Sequence, residues 1–114
     1  MWPRCHILDG VTIEAPTETA SDDLFRLQAQ ILKALANESR LRIVDRLSRG
    51  PCTVGELTEL VGSDRTTVSK HLAVLRAHGI VRDQREGATV RYSLLTPCVS
   101  SFFACASQLL HERR

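Results

Sequence analysis

The sequence predicts a mainly α-helical domain with one β-hairpin, and three patterns indicate it. Apolar residues recur at helical spacing in two short runs between residues 53 and 79, and a glycine separates the runs. Residues 80–94 then contain two β-rich runs around a turn with Gly87, which is typical of a hairpin. Amphipathic helices are also predicted before and after this unit. With 114 residues, the chain is long enough for one domain and too short for two.

The N-terminal segment shows no helical period and includes three residues that interrupt helices, Pro3, Gly10 and Pro16. We therefore predict a flexible arm over residues 1–20 and a folded domain over residues 21–114. Ser21 is the expected cap of the first helix, because its hydroxyl can accept bonds from the free N–H groups of the first turn. The apolar stripe of that helix consists of Leu24, Leu27, Ile31, Leu32 and Leu35.

Three more helices are predicted in the central part of the chain. Ser39 is the expected cap of the second helix, and the Gly50-Pro51 pair ends it. A tight turn at Gly62 joins the third and fourth helices, since glycine adopts the left-handed conformation at little cost. The fourth helix has an apolar face, Val68, Leu72 and Leu75, and a polar face, Arg65, Thr66, Thr67, Ser69, Lys70 and Arg76.

The fourth helix and the hairpin together indicate a function. Every side chain of the polar face can donate hydrogen bonds, and the hairpin adds Arg82, Arg85 and Arg91. A helix-turn-helix with a donor-rich second helix is the arrangement that sets a helix into the major groove of DNA. A hairpin directly after it is a wing, so the predicted fold class is a winged helix-turn-helix. Periodicity alone fits an ordinary helical hairpin with a solvated polar face equally well.

The distribution of charge agrees with DNA binding. The net charge of the chain is only +2, but it is uneven along the sequence. Residues 1–38 contain three basic and six acidic side chains, whereas residues 63–92 contain six basic and three acidic ones. The positive charge therefore lies where phosphates would lie. No apolar run reaches the roughly 18 residues of a membrane span, so we expect a cytoplasmic protein.

The run from residue 32 to residue 94 resembles the ArsR/SmtB family of bacterial transcriptional repressors, and its most specific part is TVSKHLAVLR at residues 67–76. The resemblance implies a homodimer whose terminal helices pair across a twofold axis. It also implies repression of an operon and release from DNA when an inducer binds. A twofold dimer suits a palindromic operator with two half-sites. The last helix carries more apolar surface than a three-helix winged domain can cover, in Phe102, Phe103, Leu109 and Leu110. These residues either cap the core of the monomer or pack against a second subunit, and the resemblance implies the second.

Candidate DNA contacts follow from position along the fourth helix. Its first turn is the part that usually reaches base edges, which assigns base contacts to Arg65, Thr66 and Thr67. Arginine is the expected specific reader, because its fork matches guanine O6 and N7. Contacts to phosphates are assigned to Ser63, Ser69, Lys70 and His71.

His71 and the two arginines of the wing each have two possible positions. For His71, a partly buried position beside Leu72 is an equally open interpretation. In the wing, Arg85 and Arg91 flank the tip, and we expect them in the minor groove or on the phosphate backbone.

The cysteines are the candidates for inducer binding. Cys5, Cys52, Cys98 and Cys105 are many for a small cytosolic protein. Structural disulfides are disfavoured in a reducing compartment, so thiolate chemistry is the preferred interpretation. Four separate small apolar residues are the alternative.

Two inducer sites of the resembled family are missing. The CVC pair of metalloid-responsive members corresponds to residues 53–57, TVGEL, and Cys52 lies one position before it. The zinc-type ligands DxH and HxxE correspond to Cys98, Ser100, His111 and Arg114, so only the second histidine is kept. We therefore do not expect a zinc, nickel or cobalt sensor of that type.

The segment TPCVSSFFAC at residues 96–105 instead resembles the cysteine-bearing helix of metalloid-responsive members whose ligands have moved. We predict As(III) or Sb(III) as the inducer, bound by the thiolates of Cys52, Cys98 and Cys105, because soft thiolates suit thiophilic ions. Seven residues of an ideal helix rise about 10 Å. Cys98 must therefore lie in an irregular helix start, or the ligands must come from two subunits. Cys5 is the spare candidate.

Three other functions compete with this one. The alternative inducer mechanism is a thiol sensor, in which two cysteines form a disulfide or polysulfide bridge. An enzyme, or a catalytic cofactor, is not expected, because the sequence has no nucleophile–base pair, phosphate loop or paired carboxylates. The alternative from another class is a winged-helix protein-interaction module without DNA binding. Loss of DNA binding on replacing Arg65 and Lys70 would exclude that module.

Overall fold

The computed structural model of this chain describes residues 7–8, 11–12 and 18–112. Its elements, in chain order, are β1 (Ile7–Leu8), β2 (Val11–Thr12), α1 (Glu18–Leu35), α2 (Glu38–Leu47), β3 (Cys52–Thr53), α3 (Val54–Val61), α4 (Arg65–Ala77), β4 (Val81–Glu86), β5 (Thr89–Leu94) and α5 (Val99–Glu112). The predicted order of four helices, a hairpin and a last helix is confirmed, as is the mainly helical winged fold. Cys5 and most of the predicted arm lie outside the described residues, and the short strands β1 and β2 pair antiparallel.

The core lies between α2, α3, α4 and the start of the wing. Its buried residues are Ala34, Leu35, Ile43, Val44, Leu47, Cys52, Leu57, Val68, Leu72, Leu75, Ile80 and Val81. Burying a large aliphatic side chain is worth roughly 1.5–3 kcal/mol, so this cluster fixes how α4 sits on the domain. Among the described residues, no charged or polar side chain is buried.

The predicted start of the first helix is wrong. α1 begins at Glu18, so Ser21 lies inside the helix instead of capping it. Residues 17–20 include no glycine or proline, so nothing in the sequence prevents the helix from beginning before Ser21.

The predicted cap of the second helix is also wrong. α2 is capped by Asn37 and not by Ser39, since Asn37 Oδ1 accepts a hydrogen bond from the backbone N–H of Arg40 at 3.1 Å. Asparagine caps helices as well as serine does, and Asn37 comes first along the chain. The same residue therefore separates α1 from α2 and begins α2.

The wing is a three-stranded antiparallel sheet in the order β3-β5-β4. The sequence predicts only the hairpin of β4 and β5. β3 could not be predicted, because its two residues are too few to show a strand pattern. Cys52 pairs with Tyr92, and Thr53 pairs with Arg91. Thr53 also caps α3 in a reciprocal capping box, in which its Oγ1 accepts from Glu56 N–H at 3.2 Å and Glu56 Oε1 accepts from Thr53 N–H at 2.8 Å. The sheet and the helix-turn-helix are therefore joined through Thr53.

The first and last helices leave large apolar side chains in water in the single chain. The exposed residues are Phe25, Leu27, Ile31 and Leu32 on α1 and Phe102, Leu109 and Leu110 on α5. Phe103, by contrast, is half-buried and packs against the core. Large exposed apolar patches mark interaction surfaces. Of the helices that the structure describes, none is both long and apolar enough to cross a membrane.

Candidate nucleic-acid interface

The polar face of α4 is turned to solvent because the opposite face is fully buried. Val68, Leu72 and Leu75 have no exposed surface. Gly62 makes the turn from α3 in the left-handed conformation, at φ 79°, and Asp64 precedes α4 in an extended conformation. Of the predicted contact residues, the exposed ones are Arg65, Thr66, Ser69 and Lys70, and the half-buried ones are Ser63, Thr67 and His71.

His71 is turned toward the protein. Its Nδ1 accepts a hydrogen bond from Arg40 Nε at 3.2 Å. Burial, and then the charge of Arg40, hold the pKa of His71 below its ordinary value. An imidazole that accepts through Nδ1 carries its proton on Nε2. The geometry therefore favours the partly buried interpretation of His71 over a phosphate contact.

Arg85 and Arg91 lie on opposite faces of the wing. In the register of β4 and β5, Arg85 is opposite Val90, and Gln84 is opposite Arg91. Cross-strand partners share a face, and neighbours along a strand alternate between faces. Arg91 also forms an ion pair with Glu86, at 3.2 Å between Nε and Oε1. The pair is exposed, so it contributes little to stability.

A groove of about 620 Å³ lies between the wing, the first turn of α3 and the start of α4. Arg65 of α4 and Arg85 of the wing both line it, together with Thr53, Gly55 and Tyr92. Arg85 can therefore bind the phosphate backbone beside Arg65, the residue expected to reach a base edge, while Asp83 adds one carboxylate to the lining. Thr53, Gly55 and Tyr92 could not be predicted from the sequence as part of the groove, because only the pairing of β3 with β5 brings them there.

A second missed contact ties α4 to the wing. Arg76 Nε lies 3.4 Å from Asp83 Oδ1 of β4. The sequence predicts Arg76 only as part of the polar face of α4. Asp83 lies next to it because the chain turns at Gly79, where φ is 73°. Arg76 stays exposed, so Asp83 offsets part of its charge without removing it from the surface.

The cysteines are distributed between the core and the surface. Cys52 is fully buried, and its Sγ lies 3.8 Å from the carbonyl oxygen of Gly50. Burial raises the pKa of its thiol above the ordinary value, and the charge of Arg46 opposes that shift. Cys98 and Cys105 are free and exposed. The backbone N–H of Ser101 bonds to the carbonyl of Cys98 at 3.0 Å, so α5 opens with a tight i→i+3 turn.

This distribution does not assemble the predicted thiolate site in one chain. Within residues 7–8, 11–12 and 18–112, no group of three or more His, Cys, Asp or Glu side chains is placed to hold a metal ion. The tight turn at Cys98 does not shorten its distance to Cys105, because an i→i+3 turn rises more per residue than an α-helix. A site whose thiolates come from two subunits stays a prediction.

Known proteins share this architecture. A family described as a helix-turn-helix domain matches residues 35–84. The uncharacterised HTH-type transcriptional regulator Rv0081 of Mycobacterium tuberculosis is 35% identical over 91 residues, which are 79% of this chain and 80% of that protein.

Two solved structures extend the likeness to the fold. The homodimeric winged helix-turn-helix DNA-binding domain of Mb0332 from Mycobacterium bovis has a TM-score of 0.73 and 31% identity, covering 88% of this chain and 93% of that one. The transcriptional repressor BigR from Xylella fastidiosa has a TM-score of 0.61 and 32% identity, covering 85% of this chain and 92% of that one. These proteins are regulators and DNA-binding domains, not enzymes.

Proposed function

We propose a specific role for this chain, which belongs to the ArsR/SmtB-like family of winged helix-turn-helix transcriptional regulators: it is a homodimeric repressor that a thiophilic inducer releases from a palindromic operator. Membership makes it a DNA-binding regulator. The observation that carries the DNA contact is the exposed donor face of α4 above a fully buried stripe, with Arg65 and Arg85 lining one groove. Repression is supported by the likeness to BigR, which is a repressor.

Binding to operator DNA tests the first part. The protein is titrated into duplex DNA from upstream of its own operon, and fluorescence anisotropy is recorded at several salt concentrations. Lys70→Gln should weaken binding to every duplex and lower the salt slope by about one, because it removes one phosphate contact. Arg65→Gln should instead relax specificity at one base pair, at roughly 1–3 kcal/mol.

Arg42→Gln is the matched control, because it removes the same charge from an exposed position on α2. Its affinity should equal that of the wild type. A wild-type protein that ignores this DNA at moderate salt would refute the operator-binding role and leave the protein-interaction module. Comparing a palindromic duplex with one whose second half-site is scrambled tests the symmetry of the operator.

The inducer is a soft, thiophilic species, with As(III) or Sb(III) as the leading candidates. Two exposed thiols support this assignment, Cys98 in the turn directly before α5 and Cys105 on α5. They lie at the ends of a segment that rises about 10 Å, so one ion cannot bind both in the same subunit. The exposed apolar residues of α5 are the surface expected to meet a second subunit. We therefore place the ion between subunits, where thiolates of two α5 helices can meet.

Cys52 would join such a site only if its sulfur left the core. Its sulfur is buried, and Tyr92 of the wing pairs with its backbone. An ion that draws Cys52 out of the core would therefore disturb the wing and the start of α3. Release from DNA requires that the inducer bind the DNA-free conformation more tightly, since equal affinity for both conformations shifts nothing.

Operator release distinguishes the inducers. The protein–DNA complex is titrated in parallel with arsenite, antimonite, zinc, cadmium and persulfide, using Cys52→Ala, Cys98→Ser, Cys105→Ser and Cys5→Ser. Arsenite should release the wild type and Cys5→Ser but neither Cys98→Ser nor Cys105→Ser. If arsenite fails to release Cys52→Ala, the core thiol is a ligand, and if arsenite releases it as it does the wild type, the core thiol is not.

Release by persulfide alone would transfer the role to thiol chemistry, in which two cysteines form a disulfide or polysulfide bridge. Arsenite release of Cys98→Ser with unchanged potency would remove Cys98 from the ligands. Each variant must first bind the operator as tightly as the wild type, which separates sensing from DNA contact.

A further inference from the structure

We propose that Arg40 is a positioning residue that fixes α4 relative to α1, and thereby sets the geometry of the two α4 helices in the dimer. The inference rests on the proposed function, because it concerns a dimer that meets two half-sites. It assigns a role to a side chain that lies outside the polar face of α4 and outside the wing.

The guanidinium of Arg40 joins three helices. Arg40 lies in the first turn of α2, with its backbone N–H on the Asn37 cap. Its Nε donates to Nδ1 of His71 in α4 at 3.2 Å, and its Nη1 donates to the backbone carbonyl oxygen of Ala34 in the last turn of α1 at 3.2 Å. Arginine suits both bonds, because its donors lie in one rigid plane. The carbonyl of Ala34 is among the last four of its helix, which have no partner inside the helix and favour a cation.

α1 has few other attachments to the domain. Over residues 22–35, whose side chains are described, only Ala34 and Leu35 are buried. The helix has 18 residues and is therefore about 27 Å long. A small rotation at its attached end would displace the far end by several times as much. The two bonds of Arg40 lie at that attached end, where they resist such a rotation.

This orientation matters because the apolar face of α1 is the expected dimer surface. In a twofold pair, the angle between α1 and α4 in each subunit determines how far apart the two α4 helices lie. Half-sites are about 34 Å apart along DNA, and both α4 helices must enter the groove together. Loss of the second contact would remove the gain that comes from binding two sites at once.

The test compares a full operator with a duplex that keeps one half-site and has the other scrambled. Arg40→Met should lower affinity for the full operator by about 10-fold or more and affinity for the single half-site by less than about 2-fold. On the single half-site the salt slope should not change, because Arg40 itself is not assigned a phosphate contact, whereas on the full operator the slope should fall, because the phosphate contacts of the second subunit are lost. Arg42→Met is the matched control and should bind both duplexes as the wild type does. Arg40→Lys keeps the charge without the planar fork and should behave like Arg40→Met.

Two further measurements keep the inference testable if Arg40→Met folds poorly. His71→Phe keeps a ring at the same position without the acceptor, and it should show the same loss on the full operator only. The ¹⁵N signals of the His71 ring should report protonation at Nε2 in the wild type and a mixture of tautomers in Arg40→Met.

Several results would overturn the role of Arg40. These are equal losses on both duplexes, no loss on either, or unchanged His71 ring signals. Wild-type protein that binds neither duplex would refute the proposed function, and the ring signals would then still decide whether Arg40 holds His71.

Discussion

At the scale of single residues, Cys52 shows how burial limits chemistry. It was predicted as a metal ligand, yet its side chain has no exposed surface, and burial raises the pKa of its thiol. The thiolate is the form that binds metals, so Cys52 would have to be both exposed and deprotonated to take part. In this structure Cys52 is a small apolar core residue.

Replacing Cys52 tests this assignment. Cys52→Ser should lower the free energy of unfolding by about 1–3 kcal/mol, because it buries a hydroxyl among apolar side chains. Urea unfolding followed by circular dichroism measures the change. Cys105→Ser, at an exposed position, should stay within about 0.5 kcal/mol of the wild type. An unchanged midpoint for Cys52→Ser would mean that this thiol is not in the core in solution.

At the scale of elements, the start of α3 has two structural roles. Thr53 pairs with Arg91 in the sheet and caps α3 through its hydroxyl. The hydrogen bond from the Thr53 N–H lowers the pKa of Glu56, which keeps the capping carboxylate ionised. The groove that holds Arg65 and Arg85 is built on this junction.

Thr53→Ala should lower the free energy of unfolding by about 0.5–2 kcal/mol, because the N–H of Glu56 loses its acceptor. Thr53→Ser keeps the hydroxyl and should recover most of that loss. Thermal unfolding of the three proteins under one set of conditions measures it. Equal stability of the alanine and serine variants would show that the hydroxyl cap contributes nothing.

Long, strongly patterned elements could be predicted from the sequence, and short or tertiary ones could not. The stripe of Val68, Leu72 and Leu75 is enough to orient α4, since only one side of that helix can be buried. β3 has two residues and no pattern of its own, so the groove lining could not be foreseen. The bond between Arg40 and His71 joins residues 31 positions apart, which no local pattern records.

At the scale of the whole molecule, the apolar faces of α1 and α5 need a partner. Leu110 is 60% exposed in the single chain, whereas Phe103 packs against the core. Phe103 and Leu110, which the sequence predicts as parts of one apolar surface, therefore have different roles. A charge at Phe103 should disrupt the fold, and a charge at Leu110 should act on the dimer.

Leu110→Asp should convert the dimer to a folded monomer, because it places a carboxylate in the expected interface. Sedimentation velocity gives the mass, and circular dichroism confirms the fold. Leu60→Asp is the matched control, since Leu60 is an exposed leucine of α3 and belongs to neither terminal helix. A wild type that sediments as a monomer, or a Leu110→Asp variant that stays dimeric, would remove α5 from the interface.

The uncovered faces of α1 and α5 also bear on gene dosage. When most chains are unpaired, the number of dimers grows with the square of the number of chains, so halving synthesis lowers the dimer about four-fold. A lone chain keeps its leucines and phenylalanines in water, where chaperones and proteases act on exposed apolar segments. The amount of this regulator available to bind DNA would then depend steeply on the rate at which the chain is made.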